Sequence, residues 1–247
     1  QAQLPEIIID DRRGESRKDS RFSLSPLLQE KLTEKIASGE QSIILINRRG
    51  YSPVTICRQC GTILSCPSCS VALNYHQDRK KELCHYCGFE KEISRCCGEC
   101  GSKYVQQFGY GTQKVEEEIK NLFPRAQVAR LDMDVSQKRG QRQDILDRMK
   151  NKAIDILIGT QMVAKGFDFP HVSLVGIIDI DNMLSIPDYR AAERCFQLIV
   201  QAAGRAGRAL LPGEVVIQTF NGDHEVIKYA ARQDYFNFYK YEIGSRK

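Results

Sequence analysis

The 247 residues carry 42% hydrophobic and 27% charged side chains, an ordinary globular balance with enough apolar mass for a sizeable core. A net charge of only +5 permits nucleic-acid contact without arguing for it. No apolar run approaches the roughly 20 residues of a membrane span and no stretch reads as a secretory leader, so a membrane or secreted protein is not expected.

In chain order, "IIID" (7–10) reads as a strand, and "DDRRGESRKDS" (10–20) as a polar, charged loop or linker on solvated surface. Ser25 and Pro26 open a helix in "SPLLQEKLTEKIASGE", with Leu28, Leu32 and Ile36 four apart and Gly39 as its stop. "SIILIN" (42–47) is a continuous apolar run of strand length. A cysteine-rich block follows. Beyond it, "GTQKVEEEIKNLFP" reads as a helix capped by Thr112 and ended before Pro124. "QVARLD" reads as a strand, and Ser136 to Lys150 as a second, polar-faced helix. "IDILIG" (154–159) and "LVGIID" (174–179) read as strands buried on both faces, Asp188 to about Gly204 as a helix, and "EVVIQTF" as a strand. The tail from Asp223 is helical and aromatic-rich. Apolar strands alternating with helices imply a parallel sheet covered on both faces. The chain starts at Gln1 and stops in "EIGSRK", and it is expected to be a piece of something longer.

Nine of the ten cysteines fall between Cys57 and Cys100, and eight of them form the C-x-x-C pairs 57/60, 66/69, 84/87 and 97/100. Each pair can chelate one side of a tetrahedral Zn²⁺, and Gly61, Gly88 and Gly101 follow three of them, as tight knuckles require. Four pairs make two Cys₄ sites. Sequential pairing would leave only five residues between the first two knuckles. Nested pairing joins Cys66 and Cys69 to Cys84 and Cys87, and Cys57 and Cys60 to Cys97 and Cys100. It closes the insertion at its base and is preferred. Cys97 has better ligand spacing than Cys96 beside it. His76 and His85 are read as structural or surface residues, and Cys195 as a small buried apolar side chain. Redox use of C-x-x-C needs one reactive pair, and four knuckles do not resemble that. Seven Lys+Arg and five Asp+Glu from Cys57 to Tyr110, with eight thiolates and two Zn²⁺, sum to −2, a poor general DNA clamp. A partner-protein surface is at least as reasonable for this block.

"INRRGY" (46–51), "GTQMVAKGFDFP" (159–170) and "QLIVQAAGRAGR" (197–208) resemble motifs IV, V and VI of a superfamily 2 helicase. With "CRQCG", "CPSCS", "CHYCG" and "CGECGS" in the same order, the chain resembles the PriA family of bacterial replication-restart helicases from about Leu4 to its end. The last knuckle departs from that family, reading "RCCGEC" where a proline usually follows the first ligand cysteine.

The resemblance implies an α/β fold: the second RecA-like helicase lobe, a parallel sheet with helices on both faces, carrying an inserted two-zinc Cys₄/Cys₄ module. Residues 1–54 would be the first part of the lobe, 55–107 the zinc insertion, and 108–247 the remainder with motifs V and VI and the start of a C-terminal region. It implies that Arg208 and Arg205 face ATP, with Arg208 as the finger, and that Gln201 links nucleotide state to lobe closure. Asp168 and Gly166 would lie near the nucleotide, and Gly159, Thr160 and Gln161 on the DNA backbone. Arg48 and Arg49 would contact phosphates. A planar, permanently charged arginine suits a metaphosphate-like transition state, and a glycine-and-hydroxyl turn at a strand end can offer donors to a phosphate. Further implications are ATP-dependent 3′→5′ unwinding of forked or D-loop DNA, and partnership with primosome proteins, single-strand-binding protein and helicase-loading factors. A cytoplasmic, nucleoid-associated location without membrane contact is also implied.

The sequence contains no Gly-Lys and no Asp-Glu dipeptide, hence no Walker A lysine and no D-E-x-H box. ATP and Mg²⁺ would therefore bind only with a first lobe, and the chain alone is expected to be inactive. The rival is a non-enzymatic zinc-ribbon docking module on a RecA-like scaffold.

Overall fold

The computed structural model describes residues 5–15, 22–46, 53–76, 78–109, 111–132, 140–160, 163, 169–207 and 213–246. Its strands are β1 (Glu6–Asp11), β2 (Gln41–Ile46), β3 (Val54–Cys57), β4 (Asn74–His76), β5 (Lys81–Leu83), β6 (Glu90–Glu92), β7 (Val105–Phe108), β8 (Val128–Leu131), β9 (Ile156–Gly159), β10 (Val172–Ile178) and β11 (Glu214–Thr219). Its helices are α1 (Pro26–Ala37), α2 (Thr112–Leu122), α3 (Gln141–Lys150), α4 (Ile180–Leu184), α5 (Ala191–Ala203), α6 (Glu225–Ala231) and α7 (Tyr235–Ser245).

Six strands form one sheet in the order β1-β11-β10-β2-β9-β8, every pair parallel. Strand residues alternate faces, so one run of apolar residues feeds two cores. Ile43 and Leu45 point into the core under α3, α5, α6 and α7, with Met149, Ile199, Ile227 and Phe238. Ile44 and Ile46 point into the core under α1 and α2, with Leu28, Leu32, Val115 and Ile119. This double burial is why β2, β9 and β10 are buried at every position. Gly176 in β10 lets α1 approach closely, since a Cβ there would lie 3.0 Å from both Leu28 methyls.

The second sheet is antiparallel and small, in the order β6-β5-β4-β3-β7. Its chain leaves the parallel sheet after β2 at Pro53 and returns at Gly109, where a Cβ would sit 3.2 Å from Pro53 Cα. The inserted unit therefore stands on the rim formed by the C-terminal ends of the parallel strands.

Local caps refine the expected boundaries. Ser25 Oγ accepts the Leu28 N–H at 3.1 Å, as a Ser-Pro start requires. Thr112 does not cap α2. Gly111 occupies that position without a side-chain bond, and the Thr112 hydroxyl instead donates to Asp132 at 2.8 Å. α3 begins at Gln141 behind Gly140 in a left-handed conformation, later than Ser136. The helix expected from Asp188 begins at Ala191, preceded by the short α4. Solvated surface is also wrong for part of 10–20. Arg12 is 1% exposed, donating to Glu15 and to the Ser23 carbonyl.

Candidate functional site

The four C-x-x-C pairs fold into the same turn. The N–H of each first cysteine donates to the residue five positions on, at 2.8 Å: Cys57 to Thr62, Cys66 to Val71, Cys84 to Phe89 and Cys97 to Ser102. The carbonyl of that cysteine then accepts from Gly61, Ser70, Gly88 or Gly101. All four of these donor residues take positive φ, from 56° to 79°. Ser70 does so without being glycine, which is why the sequence marks only three of four knuckles.

The nested sets come together. Cys57, Cys60, Cys97 and Cys100 have their sulfurs within 4.8 Å of one another, and so do Cys66, Cys69, Cys84 and Cys87. Cys57 and Cys100 Sγ are 3.6 Å apart, Cys60 and Cys97 3.7 Å, and Cys66 and Cys87 3.7 Å. Four thiolates about 2.3 Å from a tetrahedral Zn²⁺ lie roughly 3.8 Å apart, so both sets fit such an ion. The Cys84 thiol is pulled down to about 7, foremost by the backbone N–H of Cys87, against the opposing effect of burial. Within the same sets burial pushes Cys57 up to about 12, and the Cys87 side chain pushes Cys69 up to about 12, so the protons are shared unevenly among the ligand thiols. Cys96 is exposed and belongs to neither set. His76 and His85 also stand apart from both, Nε2 to Nε2 at 2.8 Å with ring centroids 4.9 Å apart, an imidazole–imidazole hydrogen bond.

The outer cysteine set is built onto the parallel sheet. Between Cys57 and Cys60, Arg58 is fully buried, with its guanidinium 4.6 Å from the Phe220 ring centroid and 5.8 Å from that of Phe108. Arg12 approaches Phe220 at 5.6 Å, and Phe108 packs on it edge-on at 5.1 Å. Gly61 rests on the Phe220 backbone, where a Cβ would lie 1.9 Å from the carbonyl oxygen. Asp181 fixes the same point by accepting the Thr219 hydroxyl at 2.7 Å and the Phe220 N–H at 2.9 Å. Burial pushes its carboxyl up to about 6. Sequence reasoning missed this seam, because a basic residue inside a knuckle gives no sign that an aromatic ring far along the chain will cover it. Cys195, by contrast, is fully buried in α5, where desolvation raises its thiol.

The four expected motor residues among the described ones occupy two rims. Gly159 ends β9 and Thr160 follows, buried. A Cβ on Gly159 would meet the Val163 side chain at 2.1 Å and the Leu131 carbonyl oxygen at 2.9 Å, so close packing alone requires glycine there. Gln201 lies in the last turn of α5, and Arg205 in the turn after it, with its N–H donating to Ala202 O at 2.9 Å. Gly207 N–H then donates to Val172 O at 3.1 Å, so this turn sits at the N-terminal end of β10. The seven residues of β10 span roughly 20 Å. Gly159 and Thr160 are thus on the opposite rim from Arg205. Arg48, Arg49, Gln161, Gly166, Asp168 and Arg208 lie outside the described residues.

Residues 101–210 match the helicase conserved C-terminal domain, and residues 66–91 match the PriA DNA helicase Cys-rich region domain. The Bacillus subtilis replication restart protein PriA is 44% identical over 99% of this chain and 30% of its own length. Its Synechocystis counterpart is 41% identical over 99% of this chain and 30% of its own length. The solved C-terminal domain of the DEAD-box protein Dbp5 superposes with a TM-score of 0.47 at 12% identity, over 96% of this chain and 87% of that one. The chain spans about 30% of the length of the first two relatives. With both nested cysteine sets on the rim of a parallel helicase lobe, it belongs to the PriA family, as a part that carries the helicase C-terminal lobe and the Cys-rich region.

Proposed function

We propose that this chain is the second motor lobe of an ATP-dependent 3′→5′ DNA helicase that remodels stalled forks and D-loops for replication restart. Residues 1–54 and 108–247 would form the lobe and 55–107 its two-zinc insertion. The observation that carries the reading is the coexistence of two clustered four-cysteine sets with an arginine-bearing turn on one parallel lobe. Arg208 serves as the finger that stabilises charge on the γ-phosphate, Arg205 supports it, and Gln201 transmits closure of the lobes. Asp168 and Gly166 lie near the nucleotide. Arg48, Arg49, Gly159, Thr160 and Gln161 meet the DNA backbone. A first lobe supplies the phosphate cradle and the Mg²⁺ ligand. Zn²⁺ in the two sites supplies cross-linking rather than reaction chemistry, and the cysteines hold the module's short strands in register. Forked DNA, primosome proteins, single-strand-binding protein and helicase-loading factors are the partners, in the bacterial cytoplasm at the nucleoid.

The isolated chain should bind two zinc ions and show no DNA-stimulated ATP hydrolysis. Measurable turnover by these 247 residues alone would refute that division of labour. In the complete helicase, Arg208→Ala should abolish hydrolysis while DNA binding persists. Surviving turnover would remove the finger assignment. A complete protein without a Walker A lysine would favour the zinc-ribbon docking module instead.

A further inference from the structure

Gly213 precedes β11 and is buried, and it lies against the backbone of the turn that carries Arg205. A Cβ at this position would sit 2.5 Å from Ala206 C, 2.6 Å from Ala206 O and 2.7 Å from Gly207 N. All three are main-chain atoms, so no side-chain rotation can make room. Ordinary contact lies near 3.5 Å, so one of the two backbones would have to move by about an ångström.

The direction of that movement follows from what holds each side. Gly213 O accepts the Glu6 N–H at 2.9 Å. The next residue, Glu214, is in register with Glu6 of β1 and Leu174 of β10, and its carboxylate meets Lys31 at 2.7 Å and Lys35 at 2.8 Å. On the other side, the turn is joined to the sheet by Gly207 N–H to Val172 O at 3.1 Å, at a left-handed residue with φ 72°. A strand paired on both edges and braced by two lysines is the stiffer partner. The arginine turn is the one that gives.

We infer that Gly213 is a positioning residue for the arginine turn: its missing side chain sets where Arg205 stands, ahead of Arg208 in sequence. This rests on the proposed role of those arginines. Gly213 is not among the residues of positive φ, so alanine is conformationally allowed and acts through its volume alone. A displacement of about 1 Å in a catalytic group lowers turnover on the order of a hundredfold.

The test compares Gly213→Ala, Arg208→Ala and wild type in the complete helicase. The readouts are DNA-stimulated ATP hydrolysis, DNA affinity and melting temperature. We expect Gly213→Ala to lower kcat on the order of tenfold to a hundredfold, with KM for ATP, DNA affinity and melting temperature close to wild type. An unchanged kcat overturns the inference when Arg208→Ala is dead. So does a loss of kcat that runs in step with lost DNA binding or a lower melting temperature, which would mark a purely structural role. Normal hydrolysis by Arg208→Ala refutes instead the underlying reading of the arginines.

Discussion

Replacing Phe220 by alanine probes the seam between the cysteine module and the parallel sheet. The ring is fully buried, and removing a buried phenylalanine side chain costs about 3–5 kcal/mol. Arg58, 4.6 Å from the ring centroid, would also lose a desolvated cation–π partner, adding about 1–2 kcal/mol. Together the loss is roughly 5 kcal/mol, or about 10–20 °C in melting temperature for a chain of this size. Phe220→Leu keeps apolar volume but removes the π face, so it should cost only about 1–2 kcal/mol. Urea and thermal unfolding followed by circular dichroism in saturating zinc would measure both. If Phe220→Ala destabilises by less than about 2 kcal/mol, the module does not depend on this ring and the reasoning fails.

The cysteine sets make a sharp distinction between neighbours: Cys97→Ser should release one of two zinc ions, whereas Cys96→Ser should keep both, as read by metal analysis of the purified chain. Asp181 makes a pH prediction. Burial pushes its folded carboxyl up to about 6 from the ordinary 3.8, so between those values the folded state holds the proton more tightly. Wild type should therefore lose roughly 3 kcal/mol in all relative to Asp181→Asn over the full titration, about 2 kcal/mol of it between pH 4.5 and 7.5. Urea titrations of both proteins at pH 4.5 and 7.5 would show this, and a pH-independent difference would contradict it.

The parallel sheet is legible in the sequence because strands buried on both faces are written as unbroken apolar runs, such as "SIILIN" and "LVGIID". The four knuckles are legible because ligand spacing is rigid. The strands between them are not, since β4, β5 and β6 have three residues each and carry no hydrophobic period. Charge misleads at Arg12 and Arg58. Arg12 reads as solvated surface and Arg58 carries no sign of burial, yet both are buried beside one phenylalanine that lies far away in sequence. Thr112 misleads in another way, because its hydroxyl suits a cap yet serves Asp132. The separation of Gly159 from Arg205 onto opposite rims also needs the register of the sheet, which no motif states.

The contact between Pro53 and Gly109 makes the Cys-rich region a graft on the tip of a single crossover. Were residues 54–108 absent, β2 would still pass through α2 to β8, and the six parallel strands would keep their order. Because the two stems of the graft already touch, its length adds little loop-closure entropy to the host. A motor lobe could acquire such a graft, or shed it, without relearning how to fold. Its removal would bare the face of Phe220 and leave the Gly14 N–H without the Arg58 carbonyl it now meets.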